Sequence, residues 1–191
     1  RGLPIDADYY RTHIHSKDNE VILGIMRRNF GMPGLGQDIA DEKEAIYREL
    51  YRPVLKPMAG LTEFLDQLRA WGTPCAVASN APEPNARMIL EVLGIEDLFS
   101  AVVTPGPNLP GKPKPDIFLA AAAVLGLPPG RCVVFEDSYS GFLAAEAAGM
   151  PCVAILHGAS PVSLPYAGRT QARHKDFTTV HLPELLEEVR L

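Results

Sequence analysis

Residues 131–141 read R-C-V-V-F-E-D-S-Y-S-G. Cys132, Val133, Val134 and Phe135 make a short, continuous, β-branched apolar run bounded by polar residues, which predicts a buried strand over 132–135. Glu136 and Asp137 follow it directly. Ser138, Ser140 and Gly141 then open a predicted helix over 141–148 that stops at Gly149. In an open parallel sheet, such a strand-to-helix junction lies at the carboxyl edge, where ligands bind. Two adjacent carboxylates there repel each other, and a hard cation such as Mg2+ would relieve the repulsion. A plainer reading has Asp137 only capping the helix that follows.

Working outward, the same β-then-α alternation extends from Pro53 to the end of the chain. Leu61, Phe64, Leu65, Leu68 and Trp71 recur at helical spacing before Gly72. A strand is predicted at 74–78, a helix at 85–93 closed by Gly94, and a strand at 100–104. The loop at 105–114 is rich in Pro and Gly and carries Lys112 and Lys114. Asp116 caps a predicted helix that runs through Leu125 to Gly126. Beyond the quoted stretch come a strand at 151–156 and a last helix at 182–189. Elements of this length in this order predict an α/β fold with a doubly wound parallel sheet over residues 53–191.

Residues 6–52 differ. Tyr9, Tyr10, His13 and Ile14 share one helical face, as do Val21, Ile22, Ile25 and Met26. A turn-rich link at 31–36 precedes a third helix at 39–51. No strand pattern interrupts the region, which reads as a small helical module.

Composition sets bounds. The chain has 191 residues, 47% of them hydrophobic and 21% charged, as expected of a globular domain with a sizeable core. A net charge of -5 and the absence of any Lys/Arg block argue against nucleic acid as a partner. No apolar run reaches the ~18 residues of a membrane helix. Cys75, Cys132 and Cys152 each sit in an apolar strand-like run, and their spacing fits no zinc pattern. They read as reduced core thiols of a cytoplasmic protein.

A parallel sheet brings its strand ends to one edge. Ser79 and Asn80 follow the strand at 74–78, Lys112 lies in the loop after 100–104, and Glu136 and Asp137 follow 132–135. A hydroxyl with adjacent amides, a lysine and an acidic pair together suit a phosphate bound beside Mg2+. Taken singly, Ser79-Asn80 also reads as a ligand-free turn and Lys112 and Lys114 as solvated charges.

The strings V-A-S-N-A at 77–81, G-K-P-K-P-D-I-F at 111–118 and V-V-F-E-D-S-Y-S-G at 133–141 resemble three of the four motifs of the haloacid dehalogenase superfamily, in order and in spacing. The resemblance is nearest to its β-phosphoglucomutase-like phosphatase branch and covers essentially the whole chain. It implies a Rossmann-like core at 53–191 and a helical cap at 6–52, with L-K-P-M-A-G-L at 55–61 as the return to the core. It implies that Ser79 and the backbone around Asn80 bind the phosphoryl group. Lys112, which directly precedes P-x-P-D, would neutralise the transferring phosphate, and Glu136 and Asp137 would hold Mg2+. In the cap, Ser16, Lys17 and Lys43 correspond to substrate-facing positions, although Lys17 and Lys43 also read as exposed helix charges.

The family's first motif, D-x-D-G-T at the end of a strand, is missing. Asp6 and Asp8 have the spacing but lie in a polar, helix-opening segment without Gly-Thr. That motif supplies the nucleophile and the acid/base of the family, so the 191 residues by themselves are expected to be inactive. The missing strand lies mid-sheet in relatives, and its loss would leave two inner edges with unpaired backbone groups, at ~1–3 kcal/mol each. The expectation is therefore a parent protein whose first motif lies in an N-terminal segment outside this sequence. That parent would be a Mg2+-dependent phosphatase acting on a small phosphorylated metabolite, a sugar or polyol phosphate, through an aspartyl-phosphate. A phosphomutase on the same scaffold is the nearest alternative. A non-catalytic binding domain is the alternative of another class. The resemblance also implies a monomer.

Overall fold

The computed structural model describes residues 4–14, 17, 19–157 and 170–188. The N-terminal part is helical, as its periodicity predicts. Helix α1 (Ala7–Tyr9) passes into a π-helical turn at Tyr10–Ile14, followed by α2 (Asn19–Asn29) and α3 (Gln37–Tyr51). Asp6, one half of the D-x-D spacing, is spent as the α1 cap, accepting from the Tyr9 N–H at 2.7 Å. Leu23 and Met26 of α2 and Ala40 of α3 are buried. Among the described residues, no helix is long and apolar enough to cross a membrane.

Strands and helices then alternate: α4 (Leu61–Ala70), β1 (Ala76–Ala78), α5 (Glu83–Leu93), β2 (Ala101–Val103), α6 (Asp116–Leu125), β3 (Val134–Glu136), α7 (Tyr139–Ala148), β4 (Cys152–Ile155), β5 (Ala172–His174) and α8 (Leu182–Glu188). Gly126 (φ 69°) and Gly149 (φ 67°) end α6 and α7 in the left-handed conformation, which L side chains adopt at a cost. Several boundaries move from their predicted places. Helix α5 begins two residues early because Pro84 suits a helix's first turn. At α6 the capping position belongs to Pro115, and Asp116 is the first helical residue. At α7 the cap is Ser138, whose hydroxyl accepts from the Gly141 N–H at 3.1 Å. Asp137 is therefore not the cap. Strand β5 was not predicted at all.

Among the described residues all strand pairs are parallel. Ala76, Val77 and Ala78 lie opposite Ala101, Val102 and Val103. Val134, Phe135 and Glu136 lie opposite Cys152, Val153 and Ala154, and β4 pairs in turn with β5 through Val153 and Ala172. The strands form two sheets, β1-β2 and β3-β4-β5. Among the described residues no ladder joins β1 to β3, so each has one inner edge outside the pairing. The faces are covered on both sides, as period-2 alternation requires. Cys152 and Ala154 pack with Phe118, Phe142 and Ala145 of α6 and α7. Val153 and Ile155, one step out of phase on β4, pack with Phe64 of α4 and Leu185 of α8. All of β4 is buried, as a strand covered on both faces must be.

Candidate active site

The carboxyl ends of β1 and β3 open onto one cavity of about 350 Å3, lined by Ser79, Asn80, Lys112, Glu136 and Asp137. The five residues come from three separate segments, and each is placed by its own local bonding.

At the end of β1 the chain stays paired one residue further, the Ser79 N–H donating to the Val103 carbonyl at 3.0 Å. It then turns. The Ser79 hydroxyl accepts from the Ala81 N–H at 3.1 Å, which closes the turn and leaves the hydroxyl hydrogen free to donate into the cavity. Asn80 points across to the loop that carries Lys112. Its amide donates to the Lys112 carbonyl at 2.9 Å, and its Oδ1 accepts from the Lys112 N–H at 2.8 Å. One side chain thus satisfies both backbone groups of Lys112. Gly111 makes the approach possible, because a Cβ there would lie 2.5 Å from Asn80 Oδ1.

The Lys112 ammonium lies 5.0 Å from the centre of the Phe118 ring and pairs with Glu136 Oε1. The pair is withdrawn from solvent, with side-chain exposures of 10% and 6%. Burying two charges is tolerable only where the remaining hydrogen-bonding capacity is met. Here Glu136 Oε2 accepts from the Asp137 N–H (3.2 Å), the Ser138 N–H (3.4 Å) and the Ser138 hydroxyl (3.0 Å). These donors belong to the amino end of α7, whose dipole favours a carboxylate.

Asp137 is in a different situation. Its side chain is 59% exposed, lines the cavity, and has His157 Nε2 at 3.9 Å from Oδ2. Among the described residues no cluster of three metal-ligating side chains is found. The two carboxylates are unequal as metal ligands. Both oxygens of Glu136 are already engaged, whereas Asp137 presents a carboxylate to the cavity, and one hard carboxylate oxygen suits Mg2+.

The remaining predicted site residues lie elsewhere. Ser16 is outside the described residues. Lys17 is exposed and Lys43 pairs with the neighbouring Glu44; neither lines the cavity. Lys114, two residues beyond Lys112, is exposed. Met58, Phe135, Ile155 and Phe177 give the cavity an apolar wall, and His157, at φ 50°, contributes its imidazole. Of these additions only His157 carries a sequence signal, as a polar residue directly after the predicted strand at 151–156. Ser138 carried a legible signal as the small polar residue before a helix. Gly141 did not, because its role depends on where Glu136 points. Cys75, Cys132 and Cys152 are free thiols; Cys152 lies in the core, whereas Cys75 and Cys132, predicted as core residues, are only partly buried.

Comparison with known proteins shows the family and the fold. The sequence model of the family described as haloacid dehalogenase-like hydrolase matches residues 2–149. β-Phosphoglucomutase of Bacillus subtilis is 40% identical over 101 residues, covering 53% of this chain and 44% of that protein. Fructose-1-phosphate phosphatase of Escherichia coli is 35% identical over 117 residues, covering 60% of each. Across eight of the curated relatives it matches, the chain spans from 15% to 66% of the relative's length. In structure, a haloacid dehalogenase-type hydrolase of Entamoeba histolytica superposes with a TM-score of 0.84 at 23% identity, over 100% of this chain and 86% of that one, which shows the fold. The chain belongs to the haloacid dehalogenase-like hydrolase family.

Proposed function

We propose that the protein is a Mg2+-dependent phosphatase of small phosphorylated metabolites, sugar or polyol phosphates. The observation that carries this reading is the meeting, in one cavity, of the Ser79 turn, the buried Lys112 and the open carboxylate of Asp137. In this reading Ser79 donates its hydroxyl hydrogen to a phosphoryl oxygen, and the amides of the turn assist. Lys112 offsets the charge of the phosphoryl group as it transfers, and Asn80 and Glu136 hold the ammonium in place from the backbone and side-chain ends. Asp137 would hold Mg2+, which when bound neutralises phosphate charge. Glu136 serves Lys112.

The nucleophile in this reading is an aspartate on a strand seated between β1 and β3, carried by polypeptide outside the 191 residues. The unladdered inner edges of those two strands, and the cavity at their carboxyl ends, suit such a strand. The aspartate would attack phosphorus as the P–O bond to the substrate's alcohol breaks and the alcohol leaves with a proton, and water would then hydrolyse the aspartyl-phosphate to inorganic phosphate and the free carboxylate. Residues 6–52 are the cap that closes over the site, excludes water from the first step and selects the substrate.

A phosphomutase is the second reading, favoured by the 40% identity to β-phosphoglucomutase of Bacillus subtilis. The deciding experiment incubates the intact protein with a panel of sugar and polyol phosphates and Mg2+, measuring released phosphate and isomerised ester together. Phosphate release without isomers supports the phosphatase. Isomer formation replaces it with the mutase, and neither product overturns both.

A further inference from the structure

Apart from Glu136, the buried polar or charged residues among those described are Glu44 at 8% exposure and Asn85 at 3%. The chemistry proposed above uses neither. They meet where α3 of the N-terminal helical segment packs on α5. The Asn85 amide donates to Glu44 Oε2 at 2.5 Å, and Asn85 Oδ1 accepts from Arg48 Nη1 at 2.7 Å. Lys43 pairs with the other oxygen of Glu44. Two turns along α5, Arg52 ties the same helical segment to Glu91 at 2.9 Å.

Asn85 stands in the first turn of α5, where its N–H donates to the Pro82 carbonyl at 2.9 Å. The turn at 79–81 runs through Pro82 into that helix without a linker. Whatever holds Asn85 therefore holds the exit of the turn. Burying a polar amide and a carboxylate between two segments is costly unless their partners stay in register, so the contact favours one seating of α3. We propose that Asn85 is a positioning residue, through which Glu44 and Arg48 make the geometry of the turn at 79–81 depend on how α3 sits on α5. The inference rests on the phosphate reading of Ser79 for its consequence in binding, but not for the mechanical coupling itself.

Exchanging the charge between the two positions tests it in the intact protein. Asn85→Asp sets a carboxylate against Glu44. Adding Glu44→Gln restores a donor–acceptor pair of reversed polarity, with position 85 still accepting from Arg48. Glu44→Gln alone keeps an acceptor for Asn85. Hydrogen exchange at the Ser79 and Ala81 amides reads the turn, and inorganic phosphate affinity and the KM and kcat of an active ester read the site.

The expected result for Asn85→Asp is faster exchange at both amides, with KM and the phosphate dissociation constant raised at least about fivefold and kcat changed less. The double variant should return to the parent values and Glu44→Gln should stay near them. Arg48→Met, at a half-buried position, should shift the same readouts in the same direction by less, and keeps the test decisive if Asn85→Asp does not fold. Loosened α3 and α5 amides with an unchanged turn, or a double variant that fails to recover, would overturn the proposal. Ser79→Ala separates the two readings. If it leaves phosphate affinity unchanged, the phosphate reading of Ser79 fails, while exchange at the turn still decides the coupling.

Discussion

Gly141 and Glu136 are packed so closely that a Cβ on Gly141 would overlap the Glu136 carboxylate. The first turn of α7 thus rises directly over the acid that pairs with Lys112. Any side chain at 141 must displace Glu136, the helix or both, and overpacking of this kind costs typically ~1–3 kcal/mol. Gly141→Ala is expected to lower the melting temperature and to reduce turnover at least about tenfold, since the displaced carboxylate no longer steers the ammonium. Thermal unfolding together with kcat checks both parts.

Lys112 and Glu136 make a buried pair, which gives a test that separates stability from chemistry. Lys112→Met leaves Glu136 as an unpaired buried charge, expected to cost ~3–5 kcal/mol. Lys112→Met with Glu136→Gln removes both charges and should recover most of that loss in denaturant unfolding. Activity should stay near background in both variants, because neither supplies a cation to the phosphoryl group. Recovery of turnover in the double variant would remove Lys112 from the chemistry.

Asn80 holds the backbone of Lys112 by two hydrogen bonds, each worth about 1 kcal/mol in stability. Its larger effect should be on the loop. Asn80→Ala is expected to raise hydrogen exchange at the Lys112 amide and to lower kcat/KM by roughly 10- to 100-fold, in line with a small misplacement of a group near the chemistry. Asn80→Asp keeps the acceptor but faces the Lys112 carbonyl with a second acceptor, so it should protect the amide partly and rescue little activity.

Much of this site was legible before the fold was known, for an identifiable reason. Ser79, Asn80, Lys112, Glu136 and Asp137 each follow a predicted strand, and parallel strands deliver their ends to one edge whatever their order. The sheet order itself carries no local signal, and neither does the division into β1-β2 and β3-β4-β5. Strand β5 went unread because Ala172, Arg173 and His174 offer one buried apolar side chain among three residues. Strand β3 runs one residue past its apolar run, into Glu136, because three donors and Lys112 satisfy that carboxylate inside the fold. Glu44 and Asn85 were invisible for a related reason. In the sequence each is an ordinary polar helix residue, and only the packing of α3 on α5 buries them together.

Burial opposes ionisation of Glu44, but hydrogen bonds from Lys43 and Asn85, the Lys43 charge and a further bond from Asn19 outweigh it and hold the carboxyl below its ordinary value of 4.5. A depressed carboxyl contributes stability above its unfolded value and loses it as pH falls through the folded one. The contribution should therefore be complete at neutral pH and decline below about pH 4.5. Glu44→Gln, which cannot titrate, is expected to lose less melting temperature than the parent between pH 7 and pH 4. Equal losses in parent and variant would exclude Glu44 from the acid response.

The Cys152 thiol is buried against β3, and burial, reinforced by the Glu136 charge and only partly offset by Lys112, pushes it up to about 12. Cys75 and Cys132 are also raised by burial, but remain partly exposed. Since the thiolate is the reactive form, a thiol-selective reagent at pH 8 should label Cys75 and Cys132 slowly and leave Cys152 unlabelled until the protein unfolds. Mass-mapped labelling in native buffer and in denaturant checks this. Labelling of Cys152 at the rate of the other two would mean that the core around β4 opens far more readily than its burial allows.

Asp137 and Glu136 are adjacent, but only one of them faces the cavity with an open carboxylate, and metal titration should tell them apart. If Asp137 holds Mg2+, Asp137→Asn is expected to raise the Mg2+ concentration for half-activation by at least about tenfold and to lower turnover by orders of magnitude at any Mg2+ concentration. Glu136→Gln acts through Lys112, so it should lower turnover while leaving the half-activating concentration close to that of the parent. Calorimetric titration of Mg2+ without substrate gives the same comparison free of chemistry, with binding weakened in the Asp137 variant and largely kept in the Glu136 variant. The reverse order would make Glu136 the metal ligand. The buried Lys112–Glu136 pair would then have to open before the metal could bind, and Mg2+ would be expected to expose Lys112 to amine-selective labelling.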